Sequence, residues 1–231
     1  MRVLFLFCLA FSANANNFSA NANNIVPPIA NFNIDVKVKT WKNLRDARIV
    51  KQKFDYSCGA ASMATLLNEF YGQSLTEVAL LKAMDKGDGR ASFDDMARVL
   101  PEFGFRGVGY ALSFEQLSQL KIPIIVYLKY RKDDHFSVLR GIDKNTVWLA
   151  DPAFGNRTYS KSQFLDMWET RNNKTLKGKI LAILPNAKTK QSIDFFTKTP
   201  RRQSVLVINS QIPSTSLIFN AKNVMPRIIG E

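Results

Sequence analysis

The chain has 231 residues, 46% of them hydrophobic and 22% charged, a composition that builds a core and excludes a disordered or collagen-like chain. Its formal net charge is +13, from 32 Lys and Arg against 19 Asp and Glu. The basic residues are scattered and carry no nucleic-acid motif, so a solvated basic surface is favoured over a nucleic-acid site, and attraction to an anionic cell envelope stays open. Residues 1–22 read as a secretory signal. Arg2 supplies the positive start, residues 3–11 an apolar run too short to span a bilayer, and Ala13-Asn14-Ala15 a small-x-small cleavage site. The heptad Phe-Ser-Ala-Asn-Ala-Asn-Asn occurs at 11–17 and again at 18–24, so cleavage after Ala15 and after Ala22 both fit. Either removes Cys8 and leaves Cys58 without an intramolecular disulfide partner. With no second long apolar segment, the expected mature chain is exported, periplasmic or extracellular, and has no integral membrane segment.

Residues 23–45 read as an N-terminal extension, in which the alternation over 32–38 predicts a half-buried strand. Ile49-Val50 is a second short extended piece. At Cys58 the pattern turns helical: Gly59, Ala60 and Ala61 follow, then Met63, Leu66, Leu67 and Phe70, and Gly72 is a natural stop. Ser74-x-x-Glu77 predicts the capped start of a helix over 77–84, Ser92-x-x-Asp95 a third helix, and Ser113-x-x-Gln116 a short fourth. Strands are predicted over 122–130, 135–141 and 146–150, with a turn at Asn145. Ser160-x-x-Gln163 then caps another helix, and 179–184 is a last strand before Pro185. Helices first and strands after predict an α+β fold, with N-terminal helices packed on one antiparallel sheet. Residues 186–231 read as a C-terminal extension with short apolar pieces at 205–208 and 216–219.

The scarce residues carry the chemistry. A thiol at a helix N-terminus faces unpaired backbone N–H groups and the positive end of the helix dipole, which favour the thiolate. Cys58 is therefore a candidate nucleophile, against the alternative of a small core residue. His135 is the only histidine and so the only possible imidazole base. If the strands over 135–141 and 146–150 form a hairpin, Asp151 returns near the level of His135 and can orient its ring. Gln52, six residues before Cys58, offers a neutral amide to an oxyanion beside the Cys58 backbone N–H. Each has a commoner fate taken singly: a satisfied strand histidine, turn chemistry at Asp151-Pro152, a surface glutamine. Together they fall in a workable order for thiol-based acyl chemistry.

The segment Gln52…Asp55-Tyr56-Ser57-Cys58-Gly59-Ala60-Ala61 resembles the active-site segment of the bacteriocin-processing (double-glycine) cysteine peptidases of the papain-like superfamily. His135-Phe136-Ser137-Val138 and Asp151-Pro152 resemble that family's histidine and aspartate motifs, and Gly155, Arg157 and Phe164 its continuation. The resemblance implies a papain-like peptidase domain over 46–185 that attacks a peptide carbonyl and passes through a thioester. Cys58, His135, Asp151 and Gln52 would be its catalytic set, with a peptide or protein substrate and no cofactor or metal. Typical members sit on an ATP-driven exporter and cut after Gly-Gly. An exported, freestanding form implies a substrate in the envelope or at the surface. The alternative is a non-catalytic peptide-binding module on the same fold.

Overall fold

The computed structural model describes residues 40–130 and 133–200. The expected signal segment, the strand expected over 32–38 and the apolar pieces at 205–208 and 216–219 lie outside the described residues. A short helix α1 (Trp41–Arg45) precedes an extended run, and Cys58 opens α2 (Cys58–Tyr71). Next come α3 (Glu77–Met84), α4 (Phe93–Val99), a 3-10 turn (Leu100–Phe103), β1 (Phe105–Leu112) and α5 (Phe114–Gln119). The remainder is β2 (Ile124–Tyr130), β3 (Asp133–Ile142), β4 (Thr146–Asp151), β5 (Gly155–Ser160), α6 (Lys161–Trp168) and β6 (Gly178–Pro185).

The six strands form one sheet in the order β1-β6-β2-β3-β4-β5, antiparallel throughout. Strands β2 to β5 are a meander, and β6 returns to fill the gap between β2 and β1. Helices cover both faces. On one face Met63, Leu66, Leu67 and Phe70 of α2 pack with Ile125, Val138, Leu181 and Ile183. On the other, Phe114 and Leu117 of α5 and Phe164 and Trp168 of α6 pack with Ile124, Val126, Leu149 and Ile180. Burial on both sides is why β2 reads as an unbroken Ile-Ile-Val run instead of an alternating one.

The caps expected at Ser92, Ser113 and Ser160 are formed, each with its reciprocal side chain at N3. The one expected at Ser74 is not. Thr76 caps α3 instead, and Glu77 Oε1 accepts the Lys53 N–H at 2.9 Å, so that carboxylate fastens the loop leading to Cys58. Gly72 closes α2 in the left-handed region, φ 68°. Ile49 and Val50 join no strand. The Val50 N–H donates to Thr65 Oγ1 on α2. Two strands were not anticipated, β1 and β5, both at sheet edges. Residues 186–200 lie against the domain: Thr197 bridges Gly141 beside the β3 bulge, and Phe195 is fully buried.

Candidate active site

The site forms where the N-terminus of α2 meets the start of β3. Ser57 stands at the helix cap, yet its side chain does not cap. Its Oγ accepts the Phe54 N–H and donates to the Phe54 carbonyl. The first helical bond is Ala61 N–H to the Ser57 carbonyl, so the Cys58, Gly59 and Ala60 N–H groups precede the ladder. Cys58 is a free thiol, 2% exposed. A Cβ at Gly59 would meet the tip of the Met96 side chain, with Ala91 and Phe136 close behind, so a larger residue there needs Met96 to shift.

The β3–β4 hairpin delivers the other two groups. Val138 pairs with Ala150, and carrying that register one residue further sets Asp151 opposite Ser137. Asp151 therefore lies diagonally across from His135 on one sheet face. His135 Nε2 is 2.9 Å from Asp151 Oδ2. The second oxygen, Oδ1, accepts the N–H groups of Ala153 (2.9 Å) and Phe154 (2.8 Å), so the carboxylate cannot turn. With Nε2 committed to Asp151, Nδ1 is the nitrogen left to face Cys58, whose proximity helps to raise the imidazole pKa. Phe154 covers the ring, centroid to centroid 6.1 Å. Burial drags the imidazole pKa down, but the bonds to Asp151 and Cys58 and their charges outweigh it and push it up to about 9. An imidazolium at neutral pH is the partner a thiolate needs.

Gln52 reaches the same cleft from the His135 side. Its backbone N–H donates to the Pro152 carbonyl at 3.1 Å and its Nε2 to the Phe54 carbonyl at 3.0 Å, while Oε1 is buried without a partner. The structure thus bonds His135 to Asp151 directly, brings Cys58 near enough to act on the imidazole, and sets Gln52 in the adjoining wall. One amide hydrogen of Gln52 is committed to Phe54, not to the sulfur. Sequence reasoning missed Phe154, whose only signal is its place three residues after Asp151. It also missed Arg90, Asp134 and Lys179, which line the cleft from the α3–α4 loop, β3 and β6. Among the described residues, no group of three or more His, Cys, Asp or Glu is placed to hold a metal.

The Peptidase C39 family model matches residues 46–172, more than half of the chain. The chain belongs to the Peptidase C39 family. Two relatives are named probable functional amyloid protease FapD. That of Pseudomonas aeruginosa is 38% identical over 139 residues, and that of Pseudomonas fluorescens 36% over 139 residues. In each case the match covers 57% of this chain and 62% of the relative. The peptidase domain of Streptococcus ComA, a bifunctional ABC transporter involved in quorum sensing, superposes with a TM-score of 0.50 at 21% identity, over 60% of this chain and 98% of that domain. That likeness shows the fold: helices packed on an antiparallel sheet.

Proposed function

We propose that this C39 chain is a cysteine peptidase acting through Cys58. The observation that carries the reading is the His135 ring, tied through Nε2 to a doubly anchored Asp151, with its other nitrogen left for Cys58 at the start of α2. Cys58 Sγ adds to the scissile carbonyl carbon, and the oxygen takes up the negative charge. The Cys58 backbone N–H at the start of α2 and the second amide hydrogen of Gln52 are the donors for that oxyanion. The tetrahedral species collapses as His135 Nδ1 passes its proton to the leaving nitrogen, leaving a thioester and a free amine. His135, now neutral, takes a proton from water, the hydroxide adds to the thioester, and the thiolate leaves with the imidazolium restored.

The substrate is proposed to be a polypeptide cut after small residues such as Gly-Gly, by likeness to the double-glycine peptidases. The relatives named as functional amyloid proteases support a substrate in a functional-amyloid system. The signal-like start of the sequence supports a working place outside the cytoplasm, and the +13 charge supports contact with an anionic envelope there. The test is alkylation of the folded protein by iodoacetamide at pH 5 to 6, where an ordinary thiol reacts slowly, paired with product analysis on the functional-amyloid subunit. Rapid labelling of Cys58, and two peptides that vanish with Cys58→Ala, are expected. A thiol as slow as a free cysteine, or products that survive the Cys58→Ala change, overturns the reading.

A further inference from the structure

The cleft at Cys58 and His135 is two chambers with opposite charge. One, about 390 Å³, holds Cys58 between Phe93, Tyr127 and Phe136, with Arg90 and Lys179 on its wall. The other, about 300 Å³, holds His135 and Gln52 together with Asp55 and Asp133. Arg90 and Asp134 border both. Arg90 forms the partition: its Nη1 donates to the Asp134 carbonyl at 2.6 Å, and its Nη2 stands 3.8 Å from the exposed Asp133 carboxylate.

The charges that remain for a ligand differ between the chambers. In the first, the Asp134 carboxylate is engaged by the Tyr127 hydroxyl. The Lys179 ammonium stands 4.8 Å from the Tyr127 ring centroid, with no carboxylate in ion-pair distance among the described residues. In the second, Asp55 has no cationic partner among the described residues, and Asp133 has only the long contact to Arg90. A peptide lying across the cleft therefore meets aromatic walls with Lys179 and the shared Arg90 on one side, and the exposed carboxylates of Asp55 and Asp133 beside the His135 imidazolium on the other.

The chemistry fixes which end of the peptide lies where. The acyl fragment stays on Cys58, and the leaving nitrogen must reach His135 to be protonated. The N-terminal part of the substrate thus faces the first chamber, and the C-terminal part, with its new ammonium, the second. We propose that the cleft sorts its substrate by charge. An apolar residue with an acidic neighbour on the acyl side faces Arg90 and Lys179, and neutral or basic residues on the leaving side face Asp55 and Asp133. Arg90 and Lys179 are then specificity-determining residues. The proposal rests on the peptidase reading above.

The experiment digests a proteome-derived peptide library with the full chain and reads every new terminus by mass spectrometry, with Cys58→Ala as the blank. Like charges brought together in a partly desolvated cleft are discriminated against, and about tenfold is expected. Acidic residues should outnumber basic ones by roughly that factor within three positions before the cut, and the bias should invert after it. Lys179→Glu should cancel or reverse the bias on the acyl side, and Lys179→Gln, which keeps a similar stem, should reduce it. Raising salt from 0.05 to 0.5 M should weaken it. A thermal melt of each variant checks that it is folded, and a misfolded Lys179→Glu leaves Lys179→Gln to decide. Cleavage without charge bias, or bias that neither substitution moves, overturns the sorting and leaves the peptidase reading standing. No cleavage above the blank overturns both.

Discussion

At the scale of single residues, His135 sets the pH window of the site. Its pKa, moved from 6.5 to about 9, is the net of a burial penalty and stronger attractions to Asp151 and Cys58. A group whose folded pKa is raised stabilises the fold fully below its unfolded value, and that contribution is lost as pH climbs through the folded value. Here the window runs from about pH 6.5 to about pH 9, and the amount is roughly 3 kcal/mol. The proposed chemistry uses the same protonated form, so kcat/KM should fall through pH 9. Asp151→Asn keeps the shape and removes the charge. We expect its alkaline limb at least about one pH unit lower, with residual turnover, since the residue orients and does not attack. A profile identical to wild type would remove Asp151 from the mechanism. Gln52→Ala should lower kcat about 100-fold with KM little changed, as for a lost oxyanion donor. A rise in KM at constant kcat would make Gln52 a binding residue instead. Of the four candidates picked from the sequence, Cys58, His135 and Asp151 stood out because each is scarce or sits at an element boundary, and Gln52 only by its place six residues before Cys58. Arg90 and Lys179 were not: 32 basic residues are scattered along the chain, and only the fold brings these two to one wall.

At the scale of elements, the helices were easier to read than the sheet. Three Ser-x-x-Asp/Gln boxes start their helices as expected because a cap is a local bargain between neighbours. The fourth shifted to Thr76 because Glu77, the carboxylate that would have closed the Ser74 box, is taken by the Lys53 N–H. The missed strands have physical reasons. β1 carries Gly107 and Gly109 and β5 is the polar run Gly-Asn-Arg-Thr-Tyr-Ser, and both lie at sheet edges where one flank has no ladder to enforce alternation. Placing β6 between β1 and β2 is a long-range choice that no local pattern encodes. What the sequence does show is Gly178, the first residue of β6, where the strand passes against α6. A Cβ at Gly178 would land within the Trp168 indole, whose Nε1 donates to the Lys179 carbonyl and whose ring stacks on Phe164. A rigid ring held at both ends cannot step aside, so Gly178→Ala should cost about 3 kcal/mol, read as a lower urea midpoint at unchanged slope. A midpoint equal to wild type would show that α6 can move off the sheet.

At the scale of the whole molecule, the match to the C39 family ends at residue 172, yet the described chain stays packed to residue 200. The stretch over 186–200 ties three parts together. The Ser192 N–H donates to the Phe70 carbonyl at the end of α2. Thr197 pairs with the backbone of β3, its N–H to the Arg140 carbonyl and its carbonyl from the Ile142 N–H. The Lys198 ammonium bonds carbonyls at the end of α5. Its anchor is Phe195, fully buried, with the Arg48 guanidinium 5.1 Å and the Arg140 guanidinium 4.7 Å from its ring centroid. Arg140 is itself a buried cation, 4% exposed. Burial, then the charge of Arg48, pull its pKa down to about 10. What compensates that burial is the Trp148 ring at 4.1 Å, the Phe195 ring and the Asn156 carbonyl oxygen at 2.8 Å. Phe195→Ala would therefore open a cavity and strip one π face from a buried charge in a single step. The expected loss is about 4 kcal/mol, or roughly 10 °C in Tm for a chain of this size. Ile193→Ala, two residues away and 98% exposed, should leave Tm within about 1 °C. Because the same stretch grips α2 and β3, which carry Cys58 and His135, Phe195→Ala should also lower kcat/KM below the melt. Variants that melt together would mean that residues beyond 185 ride on the domain without holding it.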